Sequence, residues 1–154
     1  MLTTVLTLAA LLHGLGAGTH LAGVAGLNPA LRSLDGPTYV STKQALDRSF
    51  PTVMRPLTLA GIAAAIAATV LSAIEGQPVA AMLSGVSTAA AVAALVAVLR
   101  GDLPINVRMA GWQAAVPPAD WARLRTSWER WFAVRTGASA AAFAAALTAL
   151  ALQS

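Results

Sequence analysis

The chain has 154 residues, of which 57% are hydrophobic and 10% are charged, with a formal net charge of +4 at pH 7. A soluble domain usually carries roughly 25% charged residues, so the composition excludes a domain whose whole surface faces water. The absence of cysteine excludes a disulfide framework, an iron–sulfur cluster and a thiolate metal site. Abundant alanine, arginine and glycine beside a single lysine, Lys43, are typical of a GC-rich bacterial genome.

Four apolar segments follow one another along the chain, at about residues 2–26, 53–74, 79–100 and 131–152. Each approaches the roughly 20 residues that a helix needs to cross a bilayer. Backbone groups in lipid must bond within their own segment, so all four are predicted to be helices, with the prolines at or near their ends. The first segment has no basic region before it and is not interpreted as a cleaved signal peptide. The sequence predicts an all-α integral membrane protein, a single domain over residues 1–154 that forms a four-transmembrane-helix bundle with short cytoplasmic interfacial helices.

The distribution of charge predicts the orientation of these helices. All ten lysine and arginine side chains cluster around two connections, the one between the first and second segments and the one between the third and fourth. The middle connection, EGQP, carries only Glu75. The positive-inside rule places both basic connections in the cytoplasm and both termini outside, in a multi-pass protein of the cell membrane. The basic charge is therefore assigned to the lipid bilayer and not to nucleic acid.

The first basic connection contains the stretch DGPTYVSTKQALDRSFP, residues 35–51. It predicts a short helix that begins at Asp35 or Gly36, with Pro37 in its first turn. Lys43 and Asp47 have the i,i+4 spacing of an ion pair on one helix face.

The stretch PPADWARLRTSWERWFAVRT, residues 117–136, predicts that the fourth helix begins before the membrane. From Ala119 to Leu152 it is expected to be about 50 Å long, which exceeds a hydrocarbon core of about 30 Å. Four apolar side chains follow one face at helical spacing: Trp121, Leu124, Trp128 and Trp131. They are interpreted as an aromatic belt at the membrane interface, flanked by arginines that reach the water, or as part of a binding site.

The first helix contains HGLGAGTHLAG, residues 13–23. Gly14 and Gly18 have the spacing that lets two helix backbones approach closely, within the bundle or in a homo-oligomer. His13 and His20 share one face but lie about 10 Å apart along the helix axis, too far to ligate one metal ion together. A histidine inside a membrane helix predicts an inward-facing functional group. The alternative is a neutral ring that hydrogen-bonds to a carbonyl or hydroxyl of a neighbouring helix.

The third helix ends in GDLPINVRMAGW, residues 101–112. Asp102 is expected to cap a helix that begins near Pro104. Asn106 and Arg108 then lie at the inner end of the third segment, at the depth of His20. Three further polar side chains are expected at that depth: Gln44, Arg48 and Arg135. Such convergence predicts a small-molecule pocket at the cytoplasmic mouth of an apolar bundle, with ordinary interfacial charge as the alternative.

Four pieces of the chain resemble, in their order and spacing, the small four-span membrane proteins that include the anthrone oxygenases of aromatic polyketide pathways. The pieces are NPALRSLD, TYVSTKQALDRSFPTVMRPL, LPINVRM and the segment PPADWARLRTSWERWFAVRT. The resemblance implies a four-helix bundle of bacterial secondary metabolism and cofactor-free oxidation of a phenolic substrate by O₂. It points to five residues: Gln44, Asn106, Trp128, Trp131 and Arg135. Many members carry an Asn-His pair where this chain has Phe132 and Ala133.

Two functions follow as predictions. The first is an oxygenase-like enzyme for a hydrophobic aromatic metabolite, with His20 as base, Asn106 and Arg108 at the oxyanion, and Trp112 or Trp128 stacked on the rings. Reserve ligands for the substrate are Gln44, Arg48, Trp131, Arg135 and His13. The alternative is a membrane binding or carrier protein, or a small subunit of a complex. No metal or other cofactor is expected, because two histidines and six scattered carboxylates lack ligand spacing.

Overall fold

The structure is a computed structural model that describes residues 1–153. Its long helices are α1 (Leu2–Arg32), α2 (Gly36–Ile74), α3 (Pro78–Ala110) and α4 (Trp121–Ala151). All four are long and apolar enough to cross a membrane, and residues 1–153 contain no strand. The predicted all-helical fold is confirmed, and the four apolar helices suggest a multi-pass membrane protein.

The helices form a closed ring in which each packs along its neighbours in sequence and α4 packs back on α1. Small side chains make this close packing feasible, because alanines fill the buried faces of all four helices, as at Ala17, Ala68, Ala94 and Ala142. Ser87 of α3 donates a hydrogen bond of 2.8 Å to the backbone carbonyl of Ala142 on α4. The bundle is thus held by backbone proximity more than by large interlocking side chains.

Two connections have the local structure that the sequence predicts. Asp35 caps α2, since its carboxylate accepts a hydrogen bond of 2.8 Å from the backbone N–H of Thr38. That hydrogen bond lowers the pKa of the Asp35 carboxyl below its usual value. At the other end α2 stops at Glu75, where Gly76 takes a positive φ of 68° in the turn to α3. Glycine suits this left-handed turn because it has no Cβ.

The expectation of a separate short helix over residues 35–51 is wrong, because α2 runs unbroken through Pro51 and Pro56. Each proline removes a backbone N–H and therefore one hydrogen bond to the carbonyl four residues earlier. Hydroxyl groups bond to other carbonyls nearby: Thr52 Oγ1 donates to Ser49 O at 2.6 Å, and Ser49 Oγ donates to Ala45 O at 3.2 Å. The same helix therefore extends beyond the apolar segment and carries basic residues with it.

Asp102 does not cap a new helix, which corrects a second prediction. It lies in a π-helical stretch, Val98–Asp102, that continues directly into Leu103–Ala110. A second π-helical stretch, Gly23–Leu27, interrupts α1. A π-helical stretch contains an extra residue in its turn, so the side chains that follow are rotated relative to a regular α-helix. Such stretches are frequent at functional sites.

Two packed clusters close the ends of the bundle. At the basic end, Leu31, Tyr39, Val40, Met109 and Leu124 are buried together. At the opposite end, the cluster consists of Leu2, Leu6, Ala68 and Ala149. A large cavity lies between them.

The predicted close contact through both Gly14 and Gly18 within the bundle is wrong. A Cβ at Gly14 would lie 3.0 Å from the ring of Phe143, whereas nothing among residues 1–153 lies within 4 Å of a Cβ at Gly18. Gly18 is exposed because it points away from the bundle. A homo-oligomer through this surface stays a prediction.

Candidate functional site

The cavity between the two clusters has a volume of about 790 Å³, and all four helices contribute to its mostly apolar wall. The polar side chains that line it come from every helix: His13, Thr19, His20, Lys43, Asp47, Arg55, Thr58, Asp102, Asn106, Arg135 and Ser139. A large apolar space with a few convergent polar groups is the usual form of a small-molecule site.

Lys43 is the most buried cation of the site, with 1% of its surface exposed. Its ammonium group donates to Asp47 Oδ1 at 2.5 Å and to Asn106 Oδ1 at 2.7 Å. It also lies 4.4 Å from the centre of the Trp128 ring, within the range of a cation–π interaction. Lys43 therefore joins α2, α3 and α4 at one point.

Asp102 and Arg135 form a second buried ion pair, 2.6 Å between Oδ2 and Nη1. Asp102 is 1% exposed, and neither of its carboxylate oxygens has a well-aligned hydrogen-bond partner among the described residues. The Nε of Arg135 is also without such a partner there. Buried polar groups normally have hydrogen-bond partners. The Nε of Arg135 is therefore a donor, and the carboxylate of Asp102 an acceptor, that lie next to each other in the cavity wall with hydrogen-bonding capacity left.

His20 faces the cavity, and its Nδ1 lies 2.9 Å from the hydroxyl oxygen of Ser139 on α4. Phe132 connects this histidine to the charged groups. Its ring is edge-on to His20 at 6.0 Å, 5.0 Å from the Trp128 ring, and 4.3 Å from the guanidinium carbon of Arg135. The contact with Ser139 is the hydroxyl bond that the alternative interpretation of His20 predicts, and the cavity-facing position is the one that a functional role predicts.

His13 lies deeper in the same cavity and packs on Gly61 of α2. A Cβ at Gly61 would lie 3.1 Å from the imidazole ring, so a larger residue at this position would require the ring to shift. The Nε2 of His13 has no hydrogen-bond partner among residues 1–153. Both histidines thus face into the bundle, as the sequence predicts.

Five of the ten predicted site residues line the cavity: His13, His20, Asn106, Trp128 and Arg135. The other five do not line it: Gln44, Arg48, Arg108, Trp112 and Trp131.

Those five have other contacts. Gln44 donates to the carbonyls of Met109 and Trp112, at 2.9 and 3.0 Å, and so ties α2 to the end of α3. Arg108 is 54% exposed and pairs with Asp120 at 3.0 Å.

The remaining three lie on the outside or at the basic end. Arg48 is exposed, Trp112 packs on the cluster at the basic end, and Trp131 covers Gly101 while remaining 37% exposed.

Six contributors to the site were not predicted as site residues: Lys43, Asp47, Arg55, Asp102, Phe132 and Ser139. The spacing of Lys43 and Asp47 predicts their ion pair, but it does not tell which way the pair faces. For Phe132 the only signal is the resemblance described in the sequence analysis, which predicts an Asn-His pair at Phe132 and Ala133.

The site offers hydrogen bonds and ion pairs rather than a metal centre. Among residues 1–153, no three histidine, aspartate or glutamate side chains gather as metal ligands. Lys43 pairs with Asp47 and Arg135 pairs with Asp102 in the wall of the cavity. Arg55, an exposed residue of α2, also lines the cavity and adds a third cation.

Comparison of the chain with protein-family models, with curated proteins and with solved structures finds no match.

Proposed function

We propose that this chain is a membrane enzyme that binds a hydrophobic aromatic molecule in the cavity and oxidises it with O₂ without a bound metal or flavin. The observation that carries the proposal is the convergence of His20, Phe132 and Arg135 on one mostly apolar cavity of about 790 Å³. In the bilayer, both basic connections lie in the cytoplasm and both termini lie outside. The resemblance to the anthrone oxygenases supports the choice of substrate class.

The proposed reaction needs a base and an environment that stabilises an anion. Removal of a proton from the methylene carbon of an anthrone leaves a delocalised, electron-rich anion. The anion forms a C–O bond with O₂, which is reduced to a hydroperoxide, and loss of water then gives the quinone. One anthrone and one O₂ thus yield one anthraquinone and one water, and the proton taken by the base returns with the water.

His20 is the base in this proposal. With Nδ1 protonated and donating to the Ser139 hydroxyl at 2.9 Å, Nε2 keeps the lone pair that accepts the substrate proton. Phe132 and the apolar wall limit water around the imidazole. A positioned histidine typically contributes about 10²–10⁴-fold to such a proton transfer.

Arg135, Lys43 and Asn106 stabilise the oxyanion. Arg135 takes the role first assigned to Arg108, because Arg108 points away from the cavity and Arg135 lines it. Fixed charges in a site that excludes water act more strongly on a developing negative charge than the same groups in water. Trp128 and Phe132, already 5.0 Å apart, provide the aromatic surface on which the substrate rings rest.

A second function, a binding or carrier protein, is favoured by one specific observation. The two buried cations of the cavity are already paired, Lys43 with Asp47 and Arg135 with Asp102. Cations that are already paired offer less charge to a transition state, so they favour binding over catalysis.

Reconstitution into lipid nanodiscs separates these functions. Binding of 1-hydroxyanthraquinone is measured by quenching of tryptophan fluorescence, and turnover of anthrone by O₂ uptake together with anthraquinone absorbance. If the chain is the proposed enzyme, it binds the probe and converts anthrone faster than empty nanodiscs do, with one O₂ consumed per quinone. Binding without turnover identifies the carrier, and the absence of both contradicts the proposal.

A further inference from the structure

An apolar groove of about 460 Å³ follows the outer surface of the bundle between α1 and α2. It lies beside the cavity, and four residues line both spaces: Thr19, Phe50, Met54 and Leu57. Phe50 is 44% exposed and Val53, on the groove side only, is 66% exposed. The groove therefore presents an apolar surface to the surroundings of the bundle and shares its inner wall with the site.

The α2 side of the groove is the part of that helix with the fewest backbone hydrogen bonds. Pro51 and Pro56 both lack an N–H, so two bonds of the helix ladder are missing within two turns. Phe50 and Met54 lie between or beside these prolines. A helix weakened at two points bends or opens here more readily than elsewhere along its length.

On α1 the groove is lined by Leu15 and Thr19. Leu15 does not line the cavity, whereas Thr19 lines both spaces. Gly16 lines the cavity only, and a Cβ built there meets no atom of the described residues within 4 Å. Phe50 and Met54, which also line both spaces, therefore form the α2 part of the barrier between groove and cavity.

Packed clusters lie at the two ends of the bundle. The cluster with Tyr39, Met109 and Leu124 closes the basic end, and the cluster with Leu2 and Ala149 closes the other. A ligand that dissolves in the hydrocarbon of a membrane meets the side of the bundle first.

We propose that the groove between α1 and α2 is a lateral portal through which the hydrophobic ligand passes from the bilayer into the cavity, with Thr19, Phe50 and Met54 as its rim. This inference rests on the proposed function only in that the cavity takes such a ligand. Passage requires Phe50 and Met54 to move, and the proline-weakened part of α2 allows that movement. The portal sets the rate of ligand exchange, whereas the polar end of the cavity sets the affinity.

Because the chain has no cysteine, a single introduced cysteine is the only site of thiol labelling. Each folded variant can then be compared before and after labelling. Thr19→Cys and Met54→Cys are each reconstituted in vesicles and then labelled with benzyl methanethiosulfonate, and mass spectrometry confirms complete labelling. Vesicles loaded with 1-hydroxyanthraquinone are mixed in, and tryptophan quenching gives the rates of uptake and release and the Kd. Ile66→Cys is the matched variant, because Ile66 is an exposed residue of α2 that lines neither the cavity nor the groove.

The portal predicts that labelling at position 19 or 54 slows uptake and release alike by about tenfold, which leaves the Kd unchanged within about twofold. Dithiothreitol removes the label and restores both rates. Unchanged rates at both labelled positions, an equal effect at position 66, or a weakened Kd with unchanged uptake would each overturn the portal while the proposed function stands. If the unlabelled wild type binds no probe at equilibrium, the proposed function and the portal fall together.

Discussion

Phe132 and Lys43 show at the scale of single residues why spacing alone did not define the site. The i,i+4 spacing of Lys43 and Asp47 predicts an ion pair, and the pair forms. Whether the pair faces water or the bundle depends on the rotation of α2 about its axis. That rotation is set by the packing of α2 against the neighbouring helices. Phe132 contacts Trp128 four residues before it and Arg135 three residues after it, which are neighbours on one helix face. Only the approach of His20 from α1 comes from tertiary structure.

His20→Ala is expected to lower anthrone turnover by about 10²-fold or more, because it removes the base. The Kd for 1-hydroxyanthraquinone should change far less, since the apolar wall and the charged groups remain. The matched control is Arg108→Ala, an exposed arginine paired with Asp120 outside the cavity. Oxygen uptake by both variants is compared with that of the wild type. Full activity of His20→Ala, or an equal loss in Arg108→Ala, contradicts the assignment of the base.

Lys43→Met is expected to reduce the free energy of unfolding by about 3 kcal/mol, because it leaves a carboxylate of a largely buried pair without its cation. Arg32→Met removes the cation of another pair, with Glu129, but Arg32 is 60% exposed. Exposed pairs contribute about 0–1 kcal/mol, so this control should differ little from wild type. Chemical denaturation in detergent provides both values.

The double variant Lys43→Met with Asp47→Asn tests the pairing itself. Removing both charges should cost less than the sum of the single changes, because the two side chains interact directly. Additive losses would mean that Lys43 stabilises the fold through Asn106 and Trp128 instead.

At the scale of helices, length and hydropathy were sufficient to predict four helices, and the cap at Asp35 and the stop at Glu75 follow from local rules. The prolines inside α2 and the π-helical stretch in α3 have effects that length and hydropathy do not predict. Prolines at 51 and 56 indicate a boundary, yet α2 continues because its first turns are held by buried Tyr39 and Val40. The π-helical stretch Val98–Asp102 turns Asp102 inward, and no periodicity in the sequence marks that change of register.

The helix α1 offers a test that distinguishes its two faces. Gly16→Leu places a side chain in the cavity, because a Cβ there has open space and Gly16 lines the site. Gly18→Leu places the same side chain on the outside of the bundle, where a Cβ also meets no described atom within 4 Å. Both changes should preserve thermal stability in detergent, since neither creates a clash.

Ligand binding should separate these two variants. Gly16→Leu is expected to weaken binding of 1-hydroxyanthraquinone by about tenfold or more, the effect of roughly 1.4 kcal/mol, whereas Gly18→Leu should bind as the wild type does. Loss of binding in both, or in neither, would show that the cavity face of α1 is not where the structure places it. A change in oligomeric state in Gly18→Leu alone would instead reveal a contact between copies of the chain.

At the scale of the whole molecule, the ring of four helices and the gathering of basic residues at one end are related. Gly36 at the start of α2 packs against Pro117 and Trp121, at 3.0 and 3.1 Å from a Cβ built on it, so the two basic connections lie at the same end. Arg32 and Glu129, 2.7 Å apart, join those connections across the bundle. The up-and-down order of helices therefore puts residues 75–77 and both termini at the opposite end.

This arrangement leaves two possible orientations in the membrane, with the basic end either inside or outside the cytoplasm. The distribution of charge is expected to decide between them. Nine of the ten lysines and arginines lie nearer the end formed by residues 33–35 and 111–120, Arg55 lies at the middle of α2, and none lies in the connection from Glu75 to Gln77. Basic residues near helix ends are retained in the cytoplasm during insertion. Alkaline phosphatase fused at Gln77 or after residue 154 should consequently be active, because that reporter folds only outside the cytoplasm, and a fluorescent protein inserted after Gln113 should fluoresce. Inactive phosphatase at either external position, with the fusion present at normal levels in the membrane, would contradict the orientation and move the polar end of the cavity to the other side of the bilayer.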